Sequence, residues 1–144
     1  MGTRRLRIRN KDKYTEIVDK FKTVLGLETP IKLSPFKDRR RVGYYNHKED
    51  KLVIFVPNTK DDDDFLMTLL HELAHVIDLN RRKAKDRWRN HHNIDFFMEY
   101  YRLLCMNYGE ELPMSKKMEF YRELGEYNIS IGNFEHYYNE REAV

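Results

Sequence analysis

Cysteine is almost missing from this chain of 144 residues, and long apolar runs are missing altogether. The one cysteine, Cys105, excludes an intramolecular disulfide framework and any zinc site built on several cysteines. The longest apolar run covers residues 52–56, far short of the ~20 residues that a membrane-spanning helix needs, so no membrane partner is expected. The N-terminus is basic but has no apolar segment behind it, so we expect no secretory signal. These absences favour a single globular domain over residues 1–144 in the cytoplasm.

Aromatic residues and charges of both signs, in contrast, are plentiful. Tyr, Phe and Trp make up 13% of the chain, which argues against intrinsic disorder. Positive charge is concentrated at the N-terminal end: residues 1–50 hold 14 Lys and Arg against 7 Asp and Glu, a net charge of +7, whereas the whole chain carries +3. Residues 1–11 form a basic arm that we expect to be flexible. Uneven basic charge is typical of nucleic-acid contact and also of an ordinary solvated surface.

The periodicity of the apolar residues predicts a mixed order of helices and strands. The first helix is predicted to have Asp12 as its N-cap and to end at Gly26. The four acids at residues 61–64 are predicted to start a second helix, because one Asp can cap it and the others meet the positive end of its dipole. The remaining predictions are a strand at 31–33, a hairpin from 41–46 and 51–56, and helices at 92–104, 116–124 and 133–141. This order predicts an α+β fold with a small, mostly antiparallel sheet packed against helices.

The most informative segment is His71-Glu72-Leu73-Ala74-His75, in the second half of the second predicted helix. Residues four apart on a helix lie on one face, with Cβ atoms ~5–6 Å apart, so both imidazoles can reach one zinc ion. Glu72 is rotated ~100° around the helix axis from His71, which places it as a general base for a zinc-bound water. With six histidines in the chain, chance would produce about 0.02 such matches.

A catalytic zinc ion needs a third protein ligand and one open position. His92 is the best placed of the other histidines, because it heads one face of the next predicted helix. Asp95 or Glu99 from the same helix remain alternatives. His47 and His136 are predicted to lie at the surface. His91 is predicted either to be exposed or to touch the substrate.

The pattern His71-Glu72-x-x-His75, followed after a linker by His92-x-x-x-Phe96, resembles the SprT-like zinc metallopeptidases. This resemblance implies a zincin-like metallopeptidase fold. It makes His71, His75 and His92 the zinc ligands and Glu72 the catalytic base. It also implies action on proteins that are attached to DNA or bound near it.

The likeness covers residues 12–108, including the strand segments 42–44 and 52–56, and it has two departures. Asn93 stands where the family usually has glycine, so we expect a tight turn there that uses the tolerance of Asn for positive φ. The Cys-rich zinc ribbon that many family members carry after the protease core is lacking. That leaves the basic arm and the linker before His92 as substitutes for DNA contact.

Peptide hydrolysis also needs a donor for the oxyanion that forms on the scissile carbonyl. The candidates are the tyrosines of the second predicted strand and of the helix after His92: Tyr44, Tyr45, Tyr100 and Tyr101. Glu72 would accept the proton of the attacking water and pass it to the leaving amine. An extended peptide substrate is expected to add to an exposed edge strand, with residues 51–56 as the candidate strand.

The linker between the two metal-binding segments is strongly basic. Residues 81–89 contain six Lys or Arg, one Asp and one Trp. Contacts of this cluster with phosphates would be non-specific and salt-dependent, and Trp88 could stack on an unpaired base. The candidate nucleic-acid contacts are Arg81, Arg82, Lys83, Lys85, Arg87, Trp88 and Arg89. A DNA-associated protein would be found in the nucleoid or nucleus.

Two other functions remain open beside a zinc-dependent endopeptidase. A different short HExxH metallopeptidase, of the kind that cleaves a repressor, would use an acid as its third ligand, so Asp95 or Glu99 at the metal would favour it. A non-catalytic DNA-associated module with structural zinc would need a fourth protein ligand and would have no use for Glu72. The endopeptidase is the leading prediction.

Overall fold

The computed structural model describes residues 10–86 and 90–142, and within these ranges the chain forms five α-helices and one three-stranded sheet. The α+β class predicted from the sequence is confirmed. No helix within these ranges combines the length and the apolar character needed to cross a membrane. Most of the basic N-terminal arm lies outside the described residues. The elements in chain order are α1 (Lys11–Leu25), β1 (Ile31–Ser34), β2 (Gly43–Asn46), β3 (Lys51–Phe55), α2 (Asp62–Arg81), α3 (Ile94–Tyr108), α4 (Met114–Glu126) and α5 (Ile131–Glu142), with short 3-10 helices at Val56–Asn58 and Ala84–Asp86.

The sheet is mixed, with the strand order β1-β3-β2. The predicted hairpin is present, since β2 and β3 are antiparallel with Tyr44 opposite Val53. β1 pairs in parallel with the other edge of β3, with Leu33 opposite Ile54, because residues 35–42 carry the chain from one edge of the sheet to the other. The prediction of a mostly antiparallel sheet is therefore wrong for β1. Since β3 is paired on both sides, it is also wrong that residues 51–56 form the edge strand open to a peptide.

The described residues cluster into two compact units, one up to residue 76 and one from residue 77, so the boundary falls inside α2. In the first unit the ring of Tyr14 on α1 stacks on that of Phe65 on α2, with centroids 3.9 Å apart and an interplanar angle of 5°. Other buried apolar residues of this unit come from α1, α2 and the central strand, and they include Val18, Phe21, Leu52, Ile54, Leu69 and Leu73.

The acidic run at residues 61–64 starts α2, as predicted. The Asp61 carboxylate accepts a hydrogen bond from the backbone N–H of Asp64 at 2.8 Å, and the Asp64 carboxylate accepts one from the backbone N–H of Lys60, also at 2.8 Å. The Asp61 side chain thus satisfies a backbone donor that the helix start leaves without an intrahelical acceptor, and the Asp64 side chain binds the backbone just before the helix. The acidic run therefore forms the start of α2.

Asp62, in the first turn of α2, joins that helix to α1. Its carboxylate accepts hydrogen bonds from Tyr14 at 2.5 Å, Lys13 at 2.6 Å and Asn10 at 3.1 Å. The bonds from Lys13 and Tyr14 stabilise the charged carboxylate and lower the pKa of Asp62 from 3.8 to about 2. The two helices of the first unit are thus tied together at one polar point.

Several helix ends differ from their predicted positions by one or two residues. The N-cap of α1 is Asn10, with φ of 51°, so the assignment of that role to Asp12 is wrong, and Asp12 lies in the first turn instead. Gly26 ends α1 as predicted, in the left-handed conformation with φ of 64°. α4 continues past Gly125 and is capped by Tyr127.

In the second unit α3, α4 and α5 meet in an aromatic cluster. Phe97, Phe120 and Phe134 are buried, one from each helix. The ring of Tyr101 lies edge-on to Phe120 and Phe134, with centroids 5.1 and 5.5 Å apart. Burial raises the pKa of Tyr101 to about 12. This aromatic cluster forms part of the apolar core of the second unit.

Candidate metal centre

His71 and His75 lie on one face of α2, as the spacing predicts. Their ring centroids are 5.0 Å apart and the rings meet edge to face at 70°. His75 is 7% exposed, whereas His71 is half-buried. Both side chains leave from the same helical backbone, so the helix itself sets the separation of the two imidazoles.

His92 brings a third imidazole to this pair. One ring nitrogen from each of His71, His75 and His92 lies within 4.8 Å of the others, and among the described residues this is the one such group of His, Cys, Asp or Glu side chains. In a tetrahedral zinc site with Zn–N bonds of 2.0–2.1 Å, neighbouring ligand nitrogens are about 3.4 Å apart. The three ring nitrogens are close enough together that the group could hold a metal ion.

The segment that carries His92 differs from the predicted one. His92 does not head a helical face, because α3 begins at Ile94 and Asn93 is its N-cap. The Asn93 side chain accepts a hydrogen bond from the backbone N–H of Phe96 at 3.0 Å. Its φ of −94° is ordinary, so the expectation that Asn replaces glycine through a positive φ is wrong, and the residue acts as a helix cap. The backbone N–H of His92 itself donates to the Asn90 side chain at 2.9 Å.

Aromatic rings from α3 and from the end of α4 contact the His92 imidazole. Tyr127 stacks on it with centroids 4.3 Å apart and an interplanar angle of 11°. Phe96 meets it edge to face, with centroids 5.2 Å apart and an interplanar angle of 78°. Tyr127 was not among the residues predicted from the sequence, because it lies in another helix cap and no spacing connects it to His92.

Glu72 is a buried polar residue, 7% exposed, next to the first histidine of the pair. One of its carboxylate oxygens lies 4.0 Å from Nε2 of His71. β2 approaches it closely at Gly43, where an added Cβ would lie 3.5 Å from Cγ of Glu72. Glu72 is thus confined between its own helix and the backbone of β2, beside the histidine group but outside it.

The two acidic alternatives for the third ligand are engaged elsewhere. The Glu99 carboxylate accepts hydrogen bonds from Arg81 at 2.5 Å and from Arg102 at 2.9 Å. Asp95 accepts from the Tyr137 hydroxyl at 2.5 Å and lies 3.4 Å from a guanidinium nitrogen of Arg141. Neither carboxylate belongs to the group of converging ligand atoms.

The other histidines do not belong to this group of converging ligand atoms. His47, in the hairpin turn, makes an edge contact with the ring of Tyr45 at 6.0 Å. His136 is exposed on α5 and pairs with Glu140 at 3.2 Å. His91 is exposed, which agrees with one of the two outcomes expected for it.

The four tyrosines predicted as oxyanion donors are spread over both units. The Tyr45 hydroxyl donates to Asp50 at 2.8 Å, and the ring of Tyr44 lies 4.4 Å from the guanidinium carbon of a neighbouring arginine. Tyr100 is buried within α3, and Tyr101 belongs to the aromatic cluster of the second unit. A donor role for any of the four stays a prediction.

The basic linker is partly neutralised within the chain. Arg81 and Arg82 both pair with Asp78, which is fully buried, at 3.2 and 2.7 Å. Lys83 and Lys85 are exposed, while Arg87, Trp88 and Arg89 lie outside the described residues. Two of the six predicted cations therefore stabilise the end of α2, and nucleic-acid contact by the others stays a prediction.

No protein-family model, curated protein or solved structure matches this chain.

Proposed function

We propose that the chain is a zinc-dependent endopeptidase of the SprT-like kind, with His71, His75 and His92 as ligands and Glu72 as general base. The observation that carries the proposal is the convergence of three imidazole nitrogens within 4.8 Å beside a buried glutamate. Three histidines are the ligand set of one class of catalytic zinc sites, which leave the fourth position open.

The donor set favours zinc in an open site. Imidazole nitrogen suits zinc, copper, iron and nickel, and a closed structural zinc site needs four protein ligands. In the part of the chain that the structure describes, the converging group contains three. Bound zinc would supply a Lewis acid that polarises a carbonyl and makes a water molecule more acidic.

Glu72 would move the protons. Its carboxylate would accept a proton from water and give it to the leaving amine, and its position next to His71, rotated ~100° around the helix axis, supports this role. The close approach of β2 at Gly43 limits the space open to this side chain. A confined base loses little freedom when it reaches the reacting geometry.

A peptide substrate would add to β2. This strand lies at one edge of the sheet, and within the described residues its outer side has no partner strand. β2 also contains Gly43, whose backbone lies next to Glu72. Backbone hydrogen bonds to an edge strand give affinity with little sequence preference, which suits a protease of broad specificity.

Action on DNA-associated proteins is the finer part of the proposal. It is supported by the exposed Lys83 and Lys85 and by the positive charge of residues 1–50. A repressor-cleaving enzyme with an acidic third ligand is less well supported, because the carboxylates of Asp95 and Glu99 are bound by arginines and a tyrosine.

The test compares zinc content and cleavage of an unfolded protein by wild type and Glu72→Gln. We expect both proteins to bind one zinc ion and the variant to lose ~10²–10⁴-fold in rate, the usual contribution of a general base. Glu16→Gln, an exposed position on α1, is the matched control and should cleave like wild type. Cleavage that survives Glu72→Gln, or a wild type without zinc, would overturn the proposal.

The DNA-linked part is tested separately with the same proteins. Cleavage of a DNA-bound protein is expected to rise with single-stranded DNA at low salt and to lose this gain as salt increases. A rate that does not respond to DNA at any salt concentration removes this part and leaves the peptidase in place.

A further inference from the structure

His92 is carried by a different kind of backbone from the other two histidines, which both lie on α2. It lies one residue before the N-cap of α3, in a non-helical segment. Its backbone N–H donates a hydrogen bond to the side chain of Asn90 at 2.9 Å. Its imidazole is in contact with the side chains of Phe96 and Tyr127.

The flat face of the imidazole rests on Tyr127. The two rings are almost parallel, 11° apart, with centroids separated by 4.3 Å. Phe96 touches the ring at its edge, at 78°. A face contact and an edge contact together restrict both the tilt and the rotation of the imidazole.

Tyr127 is itself well anchored. Its backbone N–H donates to the carbonyl of Leu124 at 3.1 Å, and the N–H of Ile129 donates to the same carbonyl at 3.0 Å, which fixes the turn after α4. Its ring also lies 5.9 Å from that of the buried Phe97. Yet Tyr127 remains 37% exposed, so filling the core is not its main contribution.

We propose that Tyr127 is a positioning residue for His92: its ring fixes the plane of the imidazole so that a ring nitrogen faces the His71–His75 pair. The inference rests on the proposed zinc site but not on peptidase activity. Partners that orient a metal ligand typically change metal affinity 10–100-fold. Because the contact is made by the ring, the hydroxyl of Tyr127 is not needed for it.

The first test is made without metal. In the full chain, a stacked tyrosine shifts the NMR signals of the His92 ring protons upfield. We expect this shift in wild type and in Tyr127→Phe, and its loss in Tyr127→Ala. If the His92 signals of Tyr127→Ala equal those of wild type, the ring is not held by Tyr127 and the proposal is overturned.

The second test measures zinc affinity by competition with a chelator. Tyr127→Ala is expected to bind zinc about 10-fold more weakly than wild type, and Tyr127→Phe within about 2-fold of it. Tyr121→Ala is the matched control, because Tyr121 lies on α4 and its hydroxyl donates to Glu135 on α5. It should bind zinc like wild type.

Tyr127→Leu keeps apolar volume without a flat ring and guards against a loss of folding in the alanine variant. We expect it to bind zinc as weakly as Tyr127→Ala. Wild-type affinity in the leucine or the alanine variant, or equal losses in the phenylalanine and alanine variants, would overturn the proposal. A wild type that binds no zinc would refute the proposed function instead, while the metal-free NMR comparison would still decide the role of Tyr127.

Discussion

The two halves of the candidate metal centre are held in place by different means. His71 and His75 share α2, a helix of 20 residues whose start is capped by its own acidic run. His92 lies in a non-helical segment, and its ring is held by Tyr127 and Phe96. The spacing of His71 and His75 is determined by the local geometry of one helix. The orientation of the His92 ring is determined by side chains that come together only when the chain folds.

This difference determines how each half should respond to substitution. A helix keeps two residues four apart on one face whatever their side chains are, so the pair is robust to changes nearby. A ring held by stacking has no such support, so His92 should be sensitive to residues that never touch the metal. The predictions below test each half in turn.

Loss of a ligand is expected to have the largest effect. Apparent zinc-binding free energies of ~10–16 kcal/mol for four ligands correspond to ~2.5–4 kcal/mol for each. His75→Ala should therefore weaken zinc binding several-hundred-fold. His92→Ala should lose less, about 100-fold, if its entropic cost of ordering offsets part of its contribution. Chelator competition with the full chain measures both affinities.

His136→Ala is the control for these two variants, since His136 is exposed on α5. It should bind zinc like wild type. A His92→Ala variant that also binds like wild type would show that His92 is not a ligand. If His92→Ala weakened zinc binding more than His75→Ala does, His92 would contribute more to zinc affinity than the histidine on the helix, contrary to this prediction.

The next largest effect is expected on the free energy of unfolding, from a substitution at the point where β2 approaches α2 closely. At Gly43 an added Cβ would lie 2.9 Å from the carbonyl oxygen of Val53 and 3.2 Å from Cγ2 of Thr68. Because a backbone atom cannot move aside cheaply, Gly43→Ala should lower the free energy of unfolding by ~1–3 kcal/mol. Denaturant titration measures this loss.

Gly132→Ala in α5 is the matched control, because a Cβ there would meet nothing within 4 Å. It should leave stability unchanged or raise it by up to ~1 kcal/mol. Equal stability of Gly43→Ala and wild type would mean that β2 can move away from α2, and Glu72 would then not be confined as described.

The sequence predicted the features that depend on local rules. The four-residue spacing of His71 and His75, the helix start at residues 61–64 and the β2–β3 hairpin all follow from periodicity, capping and turn composition. The sequence also indicated His92 as the third histidine of the group, but it did not indicate which residues surround its ring. Its stacking partner Tyr127 lies two helices further along, and no local pattern indicates which aromatic residue will meet it.

Two further misses have the same origin. The parallel pairing of β1 with β3 depends on the path of residues 35–42 across the sheet, which strand propensity does not contain. Asn93 was expected to replace a glycine in a tight turn, yet its side chain caps α3. Both Asn roles are typical of that residue, and only the backbone angles distinguish between them.

The smallest effect is expected at the start of α2, where Asp62 ties the helix to α1. Its pKa is lowered from 3.8 to about 2, so the folded state binds the proton less tightly than the unfolded state. The stabilisation by the Asp62 carboxylate is therefore complete above pH 3.8 and is lost as the pH falls towards 2. Since the carboxylate and the ammonium group of Lys13 both face solvent, the effect should be small and should shrink with salt.

Unfolding free energies of wild type and Asp62→Asn, measured between pH 6 and pH 2, test this directly. The difference between the two unfolding free energies should be constant near pH 6 and should disappear towards pH 2. Asp19→Asn, an exposed carboxylate on the same helix as Lys13, should show no such convergence. A difference that stays constant down to pH 2 would mean that Asp62 stabilises through its shape or its hydrogen bonds alone. In that case α2, which carries His71 and His75, would be stabilised by its N-terminal capping and not by the charge of Asp62.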